Sequence, residues 1–283
     1  MESKFTSSNG INLHYLESKG IDNDKQTIIF LHGVSANAHA FDGLIKEGLN
    51  QNYTIISLDM RGRGLSDKPA TGYDMKEHAK DVLGLLDHLG IEKAILAGHS
   101  FGALLSIYMS YHYPEKIDKI ILLDAAAKLH PDTREMLIPS LSRLGQTYPS
   151  FENYLDKIKK SPYITFWDES MESYYKADIQ ENSDGSVTPR SSVENISETL
   201  NKASFGETWQ TYITEISQPA ILMNGTANYA LEAPILPKEY ALETVNAMKN
   251  CQYLEVSGNH QTMLYGQGAK EIVQAITKFL DKK

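Results

Sequence analysis

The chain has 283 residues, 41% of them hydrophobic and 22% charged, with a formal charge of −9. That length allows one large α/β domain or two small ones, and that apolar share argues against global disorder. The acidic balance excludes nucleic acid and anionic membrane as expected partners, because both need a basic face.

Taken in chain order, the first signal is an alternating pair of segments around Asn9-Gly10, which predicts a β-hairpin over 4–17. Residues 18–26 read as a loop. Thr27 to Leu31 is a continuous apolar run, the mark of a strand buried on both faces, and it ends in His32-Gly33-Val34. Residues 38–49 suit a short helix. Tyr53 to Leu58 is a second buried strand, followed by Asp59-Met60-Arg61-Gly62-Arg63-Gly64-Leu65-Ser66-Asp67. Internal ion pairing is the expected role of Asp59, Arg61 and Arg63, rather than substrate contact. Val82, Leu85, Leu86 and Leu89 stripe a helix over 74–89 that Gly90 ends.

Next comes Ala94 to Ala97, then Gly98-His99-Ser100-Phe101-Gly102, then a helix-compatible run from Ala103. A strand, a tight turn and a helix place a serine at the apex. A serine hydroxyl is a poor nucleophile and must project where a base can take its proton. Gly98 and Gly102 remove β-carbons that would collide in so sharp a turn. The helix beginning after Ser100 aims its free N–H groups and positive end at the same point. In this strand–turn–helix setting the G-x-S-x-G spacing is a strong signal for a nucleophile.

Ile117 to Leu123 is a further buried strand ending at Asp124. From Ala125 to about Gln218 strand-like runs vanish and helical segments rich in Tyr, Phe and Trp take over, with a turn at Asn182-Ser183-Asp184-Gly185. The alternation resumes with a strand at 220–223, a helix at 238–249, a strand at 252–256 and a last helix at 268–281. Such alternation predicts a mainly parallel sheet covered by helices. The expected organisation is a core of 1–124 and 219–283, with 125–218 as a helical cap.

A serine nucleophile needs a base, and the base needs an orienting acid. In this kind of fold they follow in the order serine, acid, histidine. Only His112, His130 and His260 come after Ser100. His112 lies well along the following helix and His130 at the entry to the inserted block. His260 follows the last strand, where a loop would carry it to Ser100, and is the expected base. The usual place for the acid is the loop after strand 220–223, but there the expected position holds Asn228. Asp124, at the end of the strand beside the nucleophile strand, is the first candidate, and Glu232 is the second. Glu255 should face away. Phe101 and Val34 are the expected backbone donors of an oxyanion hole, with His32 shaping the loop beside Val34.

Cys251, the single cysteine, excludes an internal disulfide and is expected to be a small buried residue. No secretory leader and no apolar stretch of roughly 20 residues is visible, so a soluble, cytoplasmic chain is expected. No metal or other cofactor is expected, and a homodimer is allowed for.

Phe30-Leu31-His32-Gly33, the Asp59–Asp67 segment, Gly98-His99-Ser100-Phe101-Gly102, Tyr113-Pro114-Glu115-Lys116-Ile117 and Gly258-Asn259-His260 together make the chain resemble the α/β-hydrolase superfamily over nearly its full length. The resemblance implies an eight-stranded sheet with a helical cap. It also implies Ser100 as nucleophile, His260 as base, and Val34 and Phe101 as oxyanion donors. Some members carry the acid after the sixth strand, a position that Asp124 matches. Serine rather than aspartate at 100 argues against epoxide hydrolase or dehalogenase chemistry. The expected activity is hydrolysis of small-to-medium, apolar carboxylic esters or lactones through an acyl-enzyme. Two alternatives stand beside it: carbon–carbon bond hydrolysis of vinylogous diketones, which uses the same residues, and a catalytically weak binding protein on the same fold.

Overall fold

The computed structural model describes residues 1–20 and 26–281, so most of the loop expected at 18–26 lies outside the described residues. The strands are β1 (Glu2–Ser8), β2 (Ile11–Ser18), β3 (Thr27–Leu31), β4 (Thr54–Leu58), β5 (Ala94–His99), β6 (Ile117–Leu123), β7 (Ile179–Glu181), β8 (Val187–Pro189), β9 (Ala220–Gly225) and β10 (Cys251–Val256). The helices are α1 (Asp42–Lys46), α2 (Leu49–Asn52), α3 (Met75–Leu89), α4 (Phe101–His112), α5 (Thr133–Met136), α6 (Ile138–Leu141), α7 (Phe151–Lys159), α8 (Glu169–Asp178), α9 (Val193–Glu198), α10 (Trp209–Glu215), α11 (Lys238–Ala247) and α12 (Gly266–Leu280).

Eight strands form one sheet in the order β1-β2-β4-β3-β5-β6-β9-β10. The β1–β2 and β2–β4 pairs are antiparallel, and the remaining pairs are parallel. The architecture expected from the sequence is the one observed. The hairpin forms at Asn9-Gly10, where both residues have positive φ (48° and 76°), as a two-residue type I′ turn requires.

The continuous apolar runs have a physical cause in the two-sided core. Successive side chains of a strand point to opposite faces. Ile29 and Leu31 of β3 pack with α3 and α4 on one face, whereas Ile28 and Phe30 pack with α1 and α12 on the other. Helix α3 begins where the Asp74 side chain accepts the Glu77 N–H (3.0 Å) and stops at Gly90, φ 67°. The helix expected over 38–49 is instead a 3₁₀ turn, α1 and the single turn α2, with Gly48 at φ 87° separating α1 from α2.

Strands β6 and β9 are sheet neighbours, yet residues 125–218 run between them in sequence. This inserted segment holds α5 to α10, a π-helical turn (Thr199–Ser204) and a small β7–β8 antiparallel pair. That pair corrects the all-helical expectation for the segment: the turn at 182–185 closes a hairpin, with Gly185 at φ 84°. Its arms are three residues each, too short to set up an alternating pattern. At the sheet edge Cys251 is half-buried rather than fully buried, and burial pushes its thiol up to about 12. Among the described residues no helix is long and apolar enough to cross a membrane.

Candidate active site

Ser100 sits between β5 and α4 with φ 54° and ψ −117°, a strained conformation for a residue with a side chain. Such strain costs on the order of 1–3 kcal/mol and persists only where the surroundings impose it. Here they do. A β-carbon on Gly98 would run into the backbone of Gly102 and Ala103, and one on Gly102 into the Leu31 carbonyl. The turn can therefore lie tight against β3. Phe101 opens α4, so its backbone N–H has no acceptor within the helix.

The structure brings Ser100, His260 and Asp124 together. Ser100 Oγ lies 2.9 Å from His260 Nε2, and His260 Nδ1 lies 2.6 Å from Asp124 Oδ2. A carboxylate only accepts, so Nδ1 carries the ring proton and Nε2 is left as the acceptor for the serine hydroxyl. His260 is 6% exposed and Asp124 fully buried.

Asp124 is held on its far side too. Its Oδ1 accepts from the Gly225 N–H (2.8 Å) and from Asn224 Nδ2 (2.9 Å). Tyr253 donates its hydroxyl to Asn224 Oδ1 (3.0 Å), which fixes the amide so that its NH₂ faces Asp124 and the Leu236 carbonyl. Sequence reasoning missed Asn224. The available signal was register: β6 and β9 pair Leu123 with Met223, so residues 124 and 224 follow side by side.

Asn228, where an acid was looked for, is exposed, and its backbone carbonyl accepts from Asn259 Nδ2 (3.2 Å). Glu232 is exposed on the same loop and is not brought to His260. Glu255 pairs with Lys238 away from the site, as its strand position implied. His112 stacks among Tyr108, Tyr111 and Tyr212 at the far end of α4.

Two further histidines hold backbone. His99 Nε2 donates to the His260 carbonyl (2.7 Å), and burial keeps its pKa well below the usual value, so the ring is neutral. His32 donates from Nδ1 to the Gly33 carbonyl (2.7 Å) and accepts the Met60 N–H on Nε2 (3.1 Å). Burial pushes His32 down to about 4. Its expected loop-shaping place is the one observed.

Three successive carbonyls of the loop after β3 each take a side-chain donor. His32 serves Gly33, Arg63 Nε serves Val34 (2.8 Å), and Arg143 Nη2 serves Ser35 (2.6 Å). A trans peptide points its N–H opposite its carbonyl, so pinning the Gly33 oxygen fixes the direction of the Val34 N–H. Val34 and Ser100 line the same cavities.

The charged loop needs one correction. Asp59 and Arg61 are internally paired: Asp59 takes His14 Nδ1 (2.6 Å), and Arg61 grips Asp81 with two bonds of 2.6 Å. Arg63 has no carboxylate partner among the described residues. Its donors go to the carbonyls of Val34 and Arg61 and to Thr199 Oγ1, and burial pushes it down to about 9. A guanidinium suits three separate carbonyl or hydroxyl acceptors as well as one carboxylate.

The inserted segment roofs the site. Arg143 forms a buried bidentate pair with Asp178 (2.8 and 3.1 Å), which Tyr154 also bonds (2.6 Å). Beside Ser100 a cavity of about 40 Å³ has a mixed lining, with Ser35, Ser140, Arg143 and Tyr229 beside Val34, Ala40 and Leu264. A second space that Ser100 also lines, a neck of about 30 Å³, is mainly apolar, with Phe101, Leu104, Leu137, Leu200 and Ile235. Of the aromatics of the inserted segment, Tyr163, Tyr174 and Tyr175 line the first cavity.

Comparison with known proteins agrees with this architecture. Residues 26–226 match the model of a family described as the alpha/beta hydrolase fold. In sequence the chain is 34% identical over 131 residues to a 2-(acetamidomethylene)succinate hydrolase of Mesorhizobium japonicum, covering 45% of this chain and 47% of that one. It spans less than half the length of the first curated relatives it matches. In structure it is similar to an E-2-(acetamidomethylene)succinate hydrolase, with TM-score 0.85 and 23% identity over 99% of both chains. It is also similar to the enol-lactonase of Burkholderia xenovorans, with TM-score 0.76 and 18% identity over 99% of this chain and 100% of that one. At those identities the structural likeness speaks for the fold alone. The family match covers most of the chain and coincides with the observed sheet, and on that ground the chain belongs to the alpha/beta hydrolase fold family.

Proposed function

We propose that the chain is a serine hydrolase of carboxylic esters or lactones. Ser100 Oγ attacks the carbonyl carbon while His260 Nε2 takes its proton. The imidazolium so formed is oriented and charge-balanced by Asp124. The carbonyl oxygen becomes an oxyanion and receives the N–H groups of Val34 and Phe101, each such donor being worth about 3 kcal/mol at the transition state. His260 returns the proton to the departing alkoxide. Water, deprotonated by the same ring, then cleaves the acyl-serine and regenerates the hydroxyl.

The observation that carries this reading is the unbroken contact from Ser100 through His260 to a buried, fully hydrogen-bonded Asp124. The small cavities beside Ser100 favour small substrates. A panel of p-nitrophenyl short-chain esters, lactones and vinylogous diketones, run on wild type and on Ser100→Ala, tests it. Ester or lactone turnover that falls by about 10⁴-fold or more in Ser100→Ala supports the reading. Turnover of the diketones alone would move the activity to carbon–carbon bond hydrolysis. Failure of a fluorophosphonate to label Ser100 would leave a binding protein on this fold.

A further inference from the structure

Beyond the neck lies a larger chamber of about 360 Å³, between α4, the chain after β6, and the turn that ends at Phe205. Leu104, Leu129, Thr133, Ser204 and Phe205 line both the neck and the chamber, so the two spaces adjoin across these shared side chains, and the neck reaches Ser100. The inner wall is apolar, with Leu104, Ala126 and Trp209.

The charge of this lining is unlike the rest of the molecule. Across the chain acidic residues outnumber basic ones by 36 to 27. Around the chamber stand Lys128 and Arg134, with His130 3.9 Å from Asp132, and no aspartate or glutamate is among the residues that line it. Arg134 is the significant one. Its Cζ lies 4.0 Å from the centre of the Phe205 ring, and Nη1 donates to the amide oxygen of Asn201 (3.0 Å). No carboxylate among the described residues pairs with it. Lys128, in contrast, already has Glu243 at 2.7 Å. A guanidinium laid on an aromatic face keeps its remaining N–H groups in a fixed plane, which suits two oxygens of one oxyacid.

We infer that the substrate carries an anionic oxyacid group, carboxylate or phosphate, several bonds from its scissile carbonyl, and that Arg134 receives it at the chamber mouth. The apolar part between the two ends would lie along Leu104 and Trp209. This names the substrate class of the same site and rests on the hydrolase reading above.

The test separates the two claims. Ethyl hexanoate and monoethyl adipate differ in a terminal methyl against a terminal carboxylate. Their binding to Ser100→Ala is measured by calorimetry at low salt, with shorter and longer pairs and a terminal phosphonate alongside. The anionic member is expected to bind about tenfold tighter in at least one pair, and that ratio should fall at least about fivefold in Ser100→Ala/Arg134→Gln. Arg134→Lys should retain part of it. Whichever of the carboxylate and phosphonate has the larger ratio identifies the group. Equal affinities, no measurable binding of any anionic member, or a ratio indifferent to Arg134→Gln would overturn the inference. Wild-type turnover is read separately: cleavage of ethyl hexanoate with no anion preference leaves the hydrolase reading standing, and anion preference with no cleavage of either leaves the anion site standing. Arg134 is exposed, so its replacement does not threaten folding.

Discussion

The floor and the roof of the site are built in different ways. The floor is the C-terminal edge of the sheet, where β5 ends in His99 and β9 in Gly225, β3 and β6 are followed at once by His32 and Asp124, and the loop after β10 carries His260. Its polar groups are anchored to backbone: Asp124 to the Gly225 N–H, His99 to the His260 carbonyl, His32 to the Gly33 carbonyl. The roof is the inserted segment, braced internally by a side-chain pair, Arg143 with Asp178, while Arg143 Nη2 also reaches the Ser35 carbonyl of the loop after β3. Anchoring to backbone fixes position through the sheet itself. Anchoring by a buried ion pair depends on both partners surviving. Mutations in the floor should therefore reach turnover first, and mutations in the roof should reach stability first.

The largest effect is expected at Asp124. Replacing it with asparagine keeps the shape but favours the wrong ring tautomer of His260, and a loss of about 10⁴ in kcat with little change in melting temperature is expected. Steady-state kinetics beside a thermal melt measure both. A loss under tenfold would make Asp124 an ordinary structural carboxylate. Arg143→Met comes next. It leaves Asp178 buried without its cation, which costs about 3–5 kcal/mol by urea denaturation. Replacing both partners with apolar residues should recover most of that loss. If Arg143→Met lowers kcat per folded active site by as much as Asp124→Asn, the division between floor and roof fails.

Acid should separate the two regions as well. His32 has its folded pKa depressed by burial to about 4, against 6.5 in the unfolded chain. The unfolded state then binds a proton below pH 6.5 that the folded state refuses. This group's contribution to stability is complete above pH 6.5, declines by about 1.4 kcal/mol per unit as the pH falls toward 4, and is flat below. His99 and His78, also buried and depressed, act in the same direction. Urea titrations between pH 4 and 8 on wild type and His32→Asn check this, the variant having the shallower decline. Asn224→Ala tests the floor more gently. It removes one donor from Asp124 Oδ1 and leaves the Gly225 N–H, so turnover should fall about 10- to 100-fold.

The same division explains what the sequence made legible. The floor is written in local patterns: a buried run, a glycine-bounded turn, a residue at a strand end. Ser100, His260 and Asp124 could each be located because strand ends of a parallel sheet converge on one edge. The roof is written in partners far apart. Arg143 and Asp178 are 35 positions apart on elements with no shared period, and Arg63 meets Thr199 across 136 positions. No spacing announces such contacts. Arg63 shows the limit most clearly, because a charged loop implies ion pairs and this guanidinium found carbonyls and a hydroxyl instead. Asn224 lay between the two cases: its place at a strand end was visible, but its use required knowing that β9 runs beside β6.

The smallest expected effect belongs to Glu232, and it is informative for that reason. Glu232 occupies the loop after β9, where the orienting acid was an open alternative. Leu231 and Glu232 both take positive φ, 51° and 55°, and a hydrogen bond from Ala233 N to the Ala230 carbonyl (3.0 Å) closes the turn they form. That geometry holds the Glu232 side chain outward in solvent. Glu232→Gln removes the charge without touching the turn and should change kcat by less than about twofold. The sharper version works in the Asp124→Asn background with Asn228→Asp added. Asn228 is exposed and its loop is pinned by Asn259 Nδ2 on the backbone carbonyl, so a carboxylate there faces water and activity should stay at the Asp124→Asn level. Recovery of turnover would mean the loop can swing an acid to His260. The floor would then owe its acid to chance placement rather than to the Gly225 and Asn224 donors that hold Asp124 at the β6 strand end.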